Sequence, residues 1–189
     1  MTGPRVRVAG IDPGIGRTGF GIVDWEAGRP RHIYNTCVET RAHSPQPDRL
    51  AALHGKIVKL LNKFKPAVAV VEKLYFSKNV KTAMIVGEAR GVILMSLAGR
   101  GIQIVEQTPQ AMKMALTSNG RADKKDVQKM VSILLAVEKC WKVDDEADAL
   151  ALALSYRPNL FEPSRTPRKT GMEAATETGL KTPLPVGEE

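Results

Sequence analysis

Four carboxylates of this 189-residue chain, Asp12, Glu72, Asp145 and Asp148, are placed where acids could do chemistry together. Asp12 ends a largely apolar run from Val6 to Ile11 and leads into Pro13-Gly14-Ile15-Gly16-Arg17-Thr18-Gly19-Phe20-Gly21. Glu72 ends a second apolar run, Ala67 to Val71. Asp148 lies between alanines, one turn inside a helical pattern, and shares its face with Ala151, Leu152 and Ser155. A carboxylate there is costly unless something positive meets it. Asp145, three residues earlier, falls on the same face. Each acid also has an ordinary account. A carboxylate after a strand is a common solvated terminator, and Asp144, Asp145 and Glu146 suit the positive end of a helix dipole. Brought together, however, the four repel strongly. Divalent cations resolve that repulsion, and an all-oxygen set selects a hard ion such as Mg²⁺, with Mn²⁺ as substitute. Two such ions side by side can align a water and stabilise the leaving oxygen of a phosphodiester.

The elements that would position these acids follow from periodicity. Val6–Ile11 reads as a strand that delivers Asp12 to a tight turn, with a second strand returning from Ile22-Val23. The glycines between Gly10 and Gly21 read as clearance for a metal and a DNA backbone. Residues 31–40 alternate as a third strand. Asp48 to Phe64 is the clearest amphipathic helix, with Leu50, Leu53, Ile57, Leu60, Leu61 and Phe64 on one face. Ala67–Val71 has the unbroken apolar character of a strand covered on both sides. A helix over residues 79–98 carries Gly87 and Gly91, which suit close approach of another helix or seating on the sheet. A short strand, 102–105, precedes helices at 109–117, 123–137 and 144–156. Three antiparallel-type strands followed by alternating helix and strand predict an α/β domain with a mixed sheet. The domain is expected over residues 1–156. From 157 to 189 Pro, Thr, Ser, Gly and Glu predominate, which predicts a disordered tail.

The charge balance narrows the partner. The chain has 28 Lys and Arg against 20 Asp and Glu, a net charge of +8. The segment from Arg157 onward holds five of each sign, so the whole excess belongs to the folded part. A basic domain of that kind suits a polyanion held against a shaped surface. No apolar run reaches the roughly 18 residues of a membrane span, and no apolar signal region opens the chain. Two cysteines, Cys37 and Cys140, without metal-ligand spacing read as free thiols of a cytoplasmic protein.

Several positive and aromatic residues extend the pattern. Tyr75 and Phe76 follow Glu72, with Lys78 close behind, and loop aromatics there could stack on or wedge between bases. Lys124 and Lys125 open a helix capped by Asp123, a position unfavourable for lysine against the dipole. A phosphate at the free N–H groups of that helix start would suit both. Lys113 and Arg121 extend the same surface.

The quartet Gly10-Ile11-Asp12-Pro13-Gly14, Val71-Glu72-Lys73-Leu74-Tyr75-Phe76-Ser77-Lys78-Asn79, Gly120-Arg121-Ala122-Asp123-Lys124 and Asp145-Glu146-Ala147-Asp148-Ala149-Leu150 resembles, in order and spacing, the RuvC family of Holliday-junction resolvases. The resemblance covers residues 5–156. It implies an RNase H-like fold: a five-stranded mixed sheet, its first three strands antiparallel, with helices on both faces. It implies a homodimeric, metal-dependent endonuclease that nicks two strands of a four-way DNA junction symmetrically in recombination and repair, with the RuvA and RuvB branch-migration proteins as partners. Asp12, Glu72, Asp145 and Asp148 would be its metal-binding acids, and the resemblance selects Asp145 over Asp144. Tyr75 falls where the family usually has a base-engaging Phe, and Lys113 and Lys124 match basic DNA-contact positions. Lys73 departs from the family's usual polar residue beside the metal site.

Three other readings compete. Asp-x-Gly with a following Thr-Gly also suits the phosphates of an actin-like ATPase, but those folds pair two such domains and this chain has room for one. A junction-binding protein without nuclease activity would have lost acids, and none of the four is missing. An RNase H-like nuclease acting on RNA or an RNA–DNA hybrid is the nearest alternative within the enzyme class.

Overall fold

The computed structural model of the chain describes residues 5–73, 80–138 and 141–158, the side chains of 80–82 excepted. Tyr75, Phe76, Lys78, Cys140 and the tail from 159 lie outside them. The elements run β1 (Val6–Asp12), β2 (Arg17–Glu26), β3 (Arg29–Glu39), α1 (Gln46–Phe64), β4 (Val68–Glu72), α2 (Val80–Ala98), β5 (Gln103–Gln107), α3 (Pro109–Thr117), α4 (Lys124–Leu135) and α5 (Asp144–Ser155). They match the expected elements, most ends coinciding or displaced by one or two residues; β2 is the exception, starting at Arg17, five residues before the expected return at Ile22, so that Gly19 and Gly21 lie within the strand. Among the described residues no helix is long and apolar enough to cross a membrane.

The strands form one sheet in the order β3-β2-β1-β4-β5. β1, β2 and β3 pair antiparallel, whereas β4 joins β1 and β5 joins β4 in parallel. The alternation of side chains along a strand divides the core between two faces. Val8, Val23, Val68 and Val70 pack with α3, α4 and α5, and Ala9, Ile11, Ile22, Ala69 and Val71 pack with α1 and α2. The helices therefore lie on both faces, as the fold resemblance implied. Helix α1 is set by its Leu53, Ile57, Leu61 and Phe64 stripe and ends on Lys65 in the left-handed conformation. Its C-terminal carbonyl at Phe64 accepts 3.0 Å from the Arg7 guanidinium, which also grips the buried Asp24 at 2.7 and 2.8 Å.

Helix α5 is the central contact of the face it shares with α3 and α4. Its residues Ala147, Ala149, Leu150, Ala151, Leu152, Ala153 and Leu154 are all buried, and it lies directly against β1 and β2. The glycines explain how. A Cβ at Gly10 would fall inside the contact radius of the Ala149 carbonyl, and one at Gly19 inside that of the Asp145 carbonyl. A Cβ at Gly21 would sit 3.0 Å from the Leu150 nitrogen. This corrects the expectation that these glycines clear space for a metal or a DNA backbone: what they clear space for is the helix backbone. Gly87 and Gly91 show the opposite. A Cβ at either has no described atom within 4 Å, so neither seats α2 on the sheet; Ala89, Ile93 and Leu97 do that.

Gly19→Ala is expected to destabilise the fold by about 2 kcal/mol or more, since a methyl must displace a helix backbone in a close-packed core. Gly55→Ala, in α1 with open space around it, is expected to stabilise by about 0.5–1 kcal/mol. Urea denaturation of both variants checks the contrast.

Candidate active site

Parity along the strands puts two acids on one face. Val6, Val8, Gly10 and Asp12 alternate toward α5, and so do Val68, Val70 and Glu72 on the neighbouring parallel strand, where Ile11 pairs with Val71. The two carboxyls stand side by side, each shifting the other's titration. From the other side, α5 carries Asp145 above Gly19 and places Asp148 one turn further in. Asp12, Glu72 and Asp148 line one pocket of about 230 Å³, together with Pro109, Met112, Lys113, Lys124, Val127 and Leu152. Asp145 stands beside it. The structure thus gathers at one sheet edge the four acids that sequence could only place on separate elements.

The loops that hold them are braced. After Asp12 the chain is held by Thr18, whose Oγ1 donates to the Gly14 carbonyl at 2.5 Å. It is also held by Thr40, which donates through Oγ1 to the Ile15 carbonyl at 2.5 Å and through its backbone N–H to the Gly16 carbonyl at 3.1 Å. At the end of β4, Arg90 of α2 donates to the Glu72 carbonyl at 3.3 Å and ion-pairs with Glu106 of β5. Nothing in its sequence context singled out Arg90, because the acids it serves are assembled only by the sheet.

Electrostatics show a site short of positive charge. Burial, the Glu72 charge, its hydrogen bond and the charges of Asp148 and Asp145 push Asp12 up to about 8. Glu72 is also raised by burial, less so because it accepts the proton that Asp12 donates. Burial raises Asp148 too, against the pull of Lys124. Lys124 meets Asp148 at 3.1 Å and Asp144 at 3.4 Å. Burial opposes its charge, but these acids outweigh it and hold the ammonium above its ordinary value. The lysine at the α4 start is therefore matched by carboxylates of α5, where sequence suggested a phosphate. Asp123 caps α4 as expected, accepting 2.8 Å from the Asp126 nitrogen. Arg17, a residue sequence did not single out, meets Asp145 at 3.3 Å. Lys113 lines the pocket; Arg121 and Lys125 are exposed nearby, outside its lining.

Among the described residues no three of His, Cys, Asp and Glu stand close enough to ligate one ion as the side chains lie. Asp145 and Asp148 are engaged by Arg17 and Lys124, and Asp12 and Glu72 are both raised by burial. The donor set nevertheless fits a hard divalent cation. Every candidate ligand is a carboxylate oxygen, and a carboxyl raised to about 8 by burial and by neighbours of its own sign is one that a cation would ionise.

A five-stranded sheet ordered 3-2-1-4-5, with acids at the ends of its first and fourth strands and two more on the helix laid across them, defines an RNase H-like nuclease. The family model for crossover junction endodeoxyribonuclease RuvC matches residues 8–156, and the chain belongs to that family. It is 42% identical over 151 residues to the RuvC of Brevibacillus brevis, covering 80% of this chain and 91% of that one. To the RuvC of Thermomicrobium roseum it is 43% identical over 152 residues, covering 80% and 92%. The structure of Thermus thermophilus RuvC in complex with a Holliday junction substrate superposes with a TM-score of 0.75 at 32% identity, covering 79% of this chain and 92% of that one.

The raised Asp12 has a consequence for stability without metal. The folded chain keeps the proton to about pH 8, while an unfolded Asp loses it near pH ~4. The folded state then binds more protons across that window, so this group's contribution to stability falls as pH rises from about 4 to about 8 and is level above it. In EDTA, Asp12→Asn is expected to raise the urea midpoint at pH 8 and to flatten the decline between pH 5 and 8. An unchanged midpoint at pH 8 would count against the buried, like-charged setting of Asp12.

Proposed function

We propose that this chain resolves four-way DNA junctions by paired, metal-dependent hydrolysis of phosphodiesters; its relatives are named crossover junction endodeoxyribonucleases, and one is solved with a Holliday junction substrate. One observation carries the chemistry: a single pocket lined by Asp12, Glu72 and Asp148 also holds Lys113 and Lys124. Acids alone would repel a nucleic acid, and lysines alone would only bind it. Together they suit holding and cutting.

In this reading Asp12, Glu72, Asp145 and Asp148 would hold Mg²⁺, two ions per site. Bound there, the metal supplies an activated water and Lewis-acid stabilisation of the departing oxygen. The rest falls to side chains of this protein. The Asp12 carboxyl gives up its proton when the site is loaded. Lys113 and Lys124 bring a backbone phosphate to the pocket, and Lys124 exchanges a carboxylate partner for it. Arg121 and Lys125 extend the backbone contact along α3 and α4. Tyr75, outside the described residues, is assigned to the bases at the junction by the family resemblance, and Phe76 and Lys78, likewise outside them, follow as DNA contacts from their residue types in the same stretch. Substrate binding rests on the basic surface and cutting on the acids, so the two are separable.

Asp12→Asn and Asp148→Asn are each expected to lower junction cleavage by on the order of 10²-fold or more, with junction affinity nearly retained. Parallel assays on a four-way junction, a linear duplex and an RNA–DNA hybrid decide the substrate; equal cleavage of all three would replace junction resolution with general nuclease action. Junction binding is expected to fall steeply with salt, and Lys113→Ala to reduce the salt slope by about 1.

The assembly is a homodimer, since two symmetric nicks need two sites. Its surface is the outer stripe of α2, where Met84 and Met95 are 64% and 61% exposed and flank Gly87 and Gly91, which leave room for a partner backbone. Gly91→Arg is expected to give a monomer in sedimentation equilibrium that retains the thermal transition of the fold. RuvA and RuvB are the partners by analogy, and the cytoplasm the compartment.

A further inference from the structure

We infer that Glu146 and Asn35 are positioning residues that fix the register of α5 on the sheet and so set where Asp145 and Asp148 present their carboxylates. Sequence accounts for Glu146 as one more acid at a helix start, yet in the structure it is only 7% exposed. Its Oε2 accepts 2.6 Å from Asn35 Nδ2 of β3 and 3.1 Å from the Lys142 backbone N–H just before the helix. The N-cap residue, Val143, offers no side-chain acceptor, so Glu146 closes the helix start from within while tying it to the far side of the sheet. Asn35 is oriented in turn by His32, whose Nε2 lies 2.6 Å from the Asn35 Oδ1.

The need for such a tie follows from the glycine floor. Asn35 pairs across β2 with Gly21, and Cys37 pairs with Gly19. Under α5, β1 and β2 offer glycines where side chains would ordinarily interlock with a helix. A helix on that floor approaches closely but meets few ridges to stop it sliding or turning. One residue of slip moves a helix about 1.5 Å along its axis and swings it about 100°, whereas metal ligands must be placed within about 0.5 Å. Asn35 reaches over Gly21 to the one buried side chain in the first turn of α5 able to receive it. Glu146 is adjacent to Asp145 and two residues from Asp148, so what it fixes is passed on directly.

This inference rests on the reading that Asp145 and Asp148 hold the cation, and its test separates the two. Mn²⁺ binding to the full chain without DNA is measured calorimetrically for Glu146→Ala, Glu146→Gln, Asn35→Ala, the Asn35→Ala/Glu146→Ala pair and Asp148→Asn, with junction cleavage measured alongside. Glu146→Ala and Asn35→Ala are each expected to weaken Mn²⁺ binding about 10-fold or more, and to lower kcat with little change in KM. Glu146→Gln keeps an acceptor for the Asn35 amide and is expected to recover most of the loss. The double variant is expected to bind no worse than either single one. Unchanged Mn²⁺ affinity in folded Asn35→Ala, or a Gln variant as impaired as the Ala variant, would overturn the positioning role. Unchanged affinity in Asp148→Asn would instead overturn the assignment of the acids. Should Glu146→Ala not fold, Asn35→Ala and Glu146→Gln decide the matter.

Discussion

The closeness of helix α5 to strands β1 and β2 is the constraint on which the rest of this molecule depends. Backbone meets backbone there, because Gly10 and Gly19 have no Cβ to hold the helix away. That proximity lets one short helix complete the core of its face with small residues such as Ala147, Ala149, Ala151 and Ala153. It also brings carboxylates at the helix start over the ends of β1 and β4. A core contact and a catalytic geometry are thus one contact, and neither can be adjusted without the other.

Electrostatic strain is the counterpart of that geometry. Burial and three neighbouring acids raise Asp12 to about 8, and Arg17 and Lys124 pair with Asp145 and Asp148. Two side-chain cations offset part of that charge, and the raised Asp12 carboxyl offsets more of it by holding its proton. The stability that the apolar faces supply tolerates this arrangement, and the tolerance is what keeps the acids poised. Such places, where structure is held at a cost, are where function tends to sit.

Much of this was legible in the order of residues. Apolar runs, proline stops and the α1 stripe located the elements, because hydrophobic periodicity reports which face is buried. Asp148 announced itself as an acid on an apolar helix face, and Lys124 proved to be its counter-charge. Gly10, Gly19 and Gly21 were assigned a purpose they do not have, because a sequence shows that space is needed without showing what fills it. Glu146 was hidden for a related reason. Its partner Asn35 lies more than a hundred residues away on β3, and an acid in a first helical turn is already explained by the dipole. Arg90 was hidden likewise, since the carbonyl it holds belongs to a strand it meets only in the folded sheet.

The acids come from the beginning, the middle and the end of the folded region, and their spread bears on how the protein is made. Asp12 lies on the first strand, and Asp148 on the last helix, whose docking covers β1 and β2. Chains emerge from synthesis N-terminus first, and contacts so distant in sequence form late. A partly made chain therefore has β1 and β4 but lacks the helix that completes both the core and the acid set. The acid set is complete only once α5 has docked, and no shorter stretch of the chain contains it.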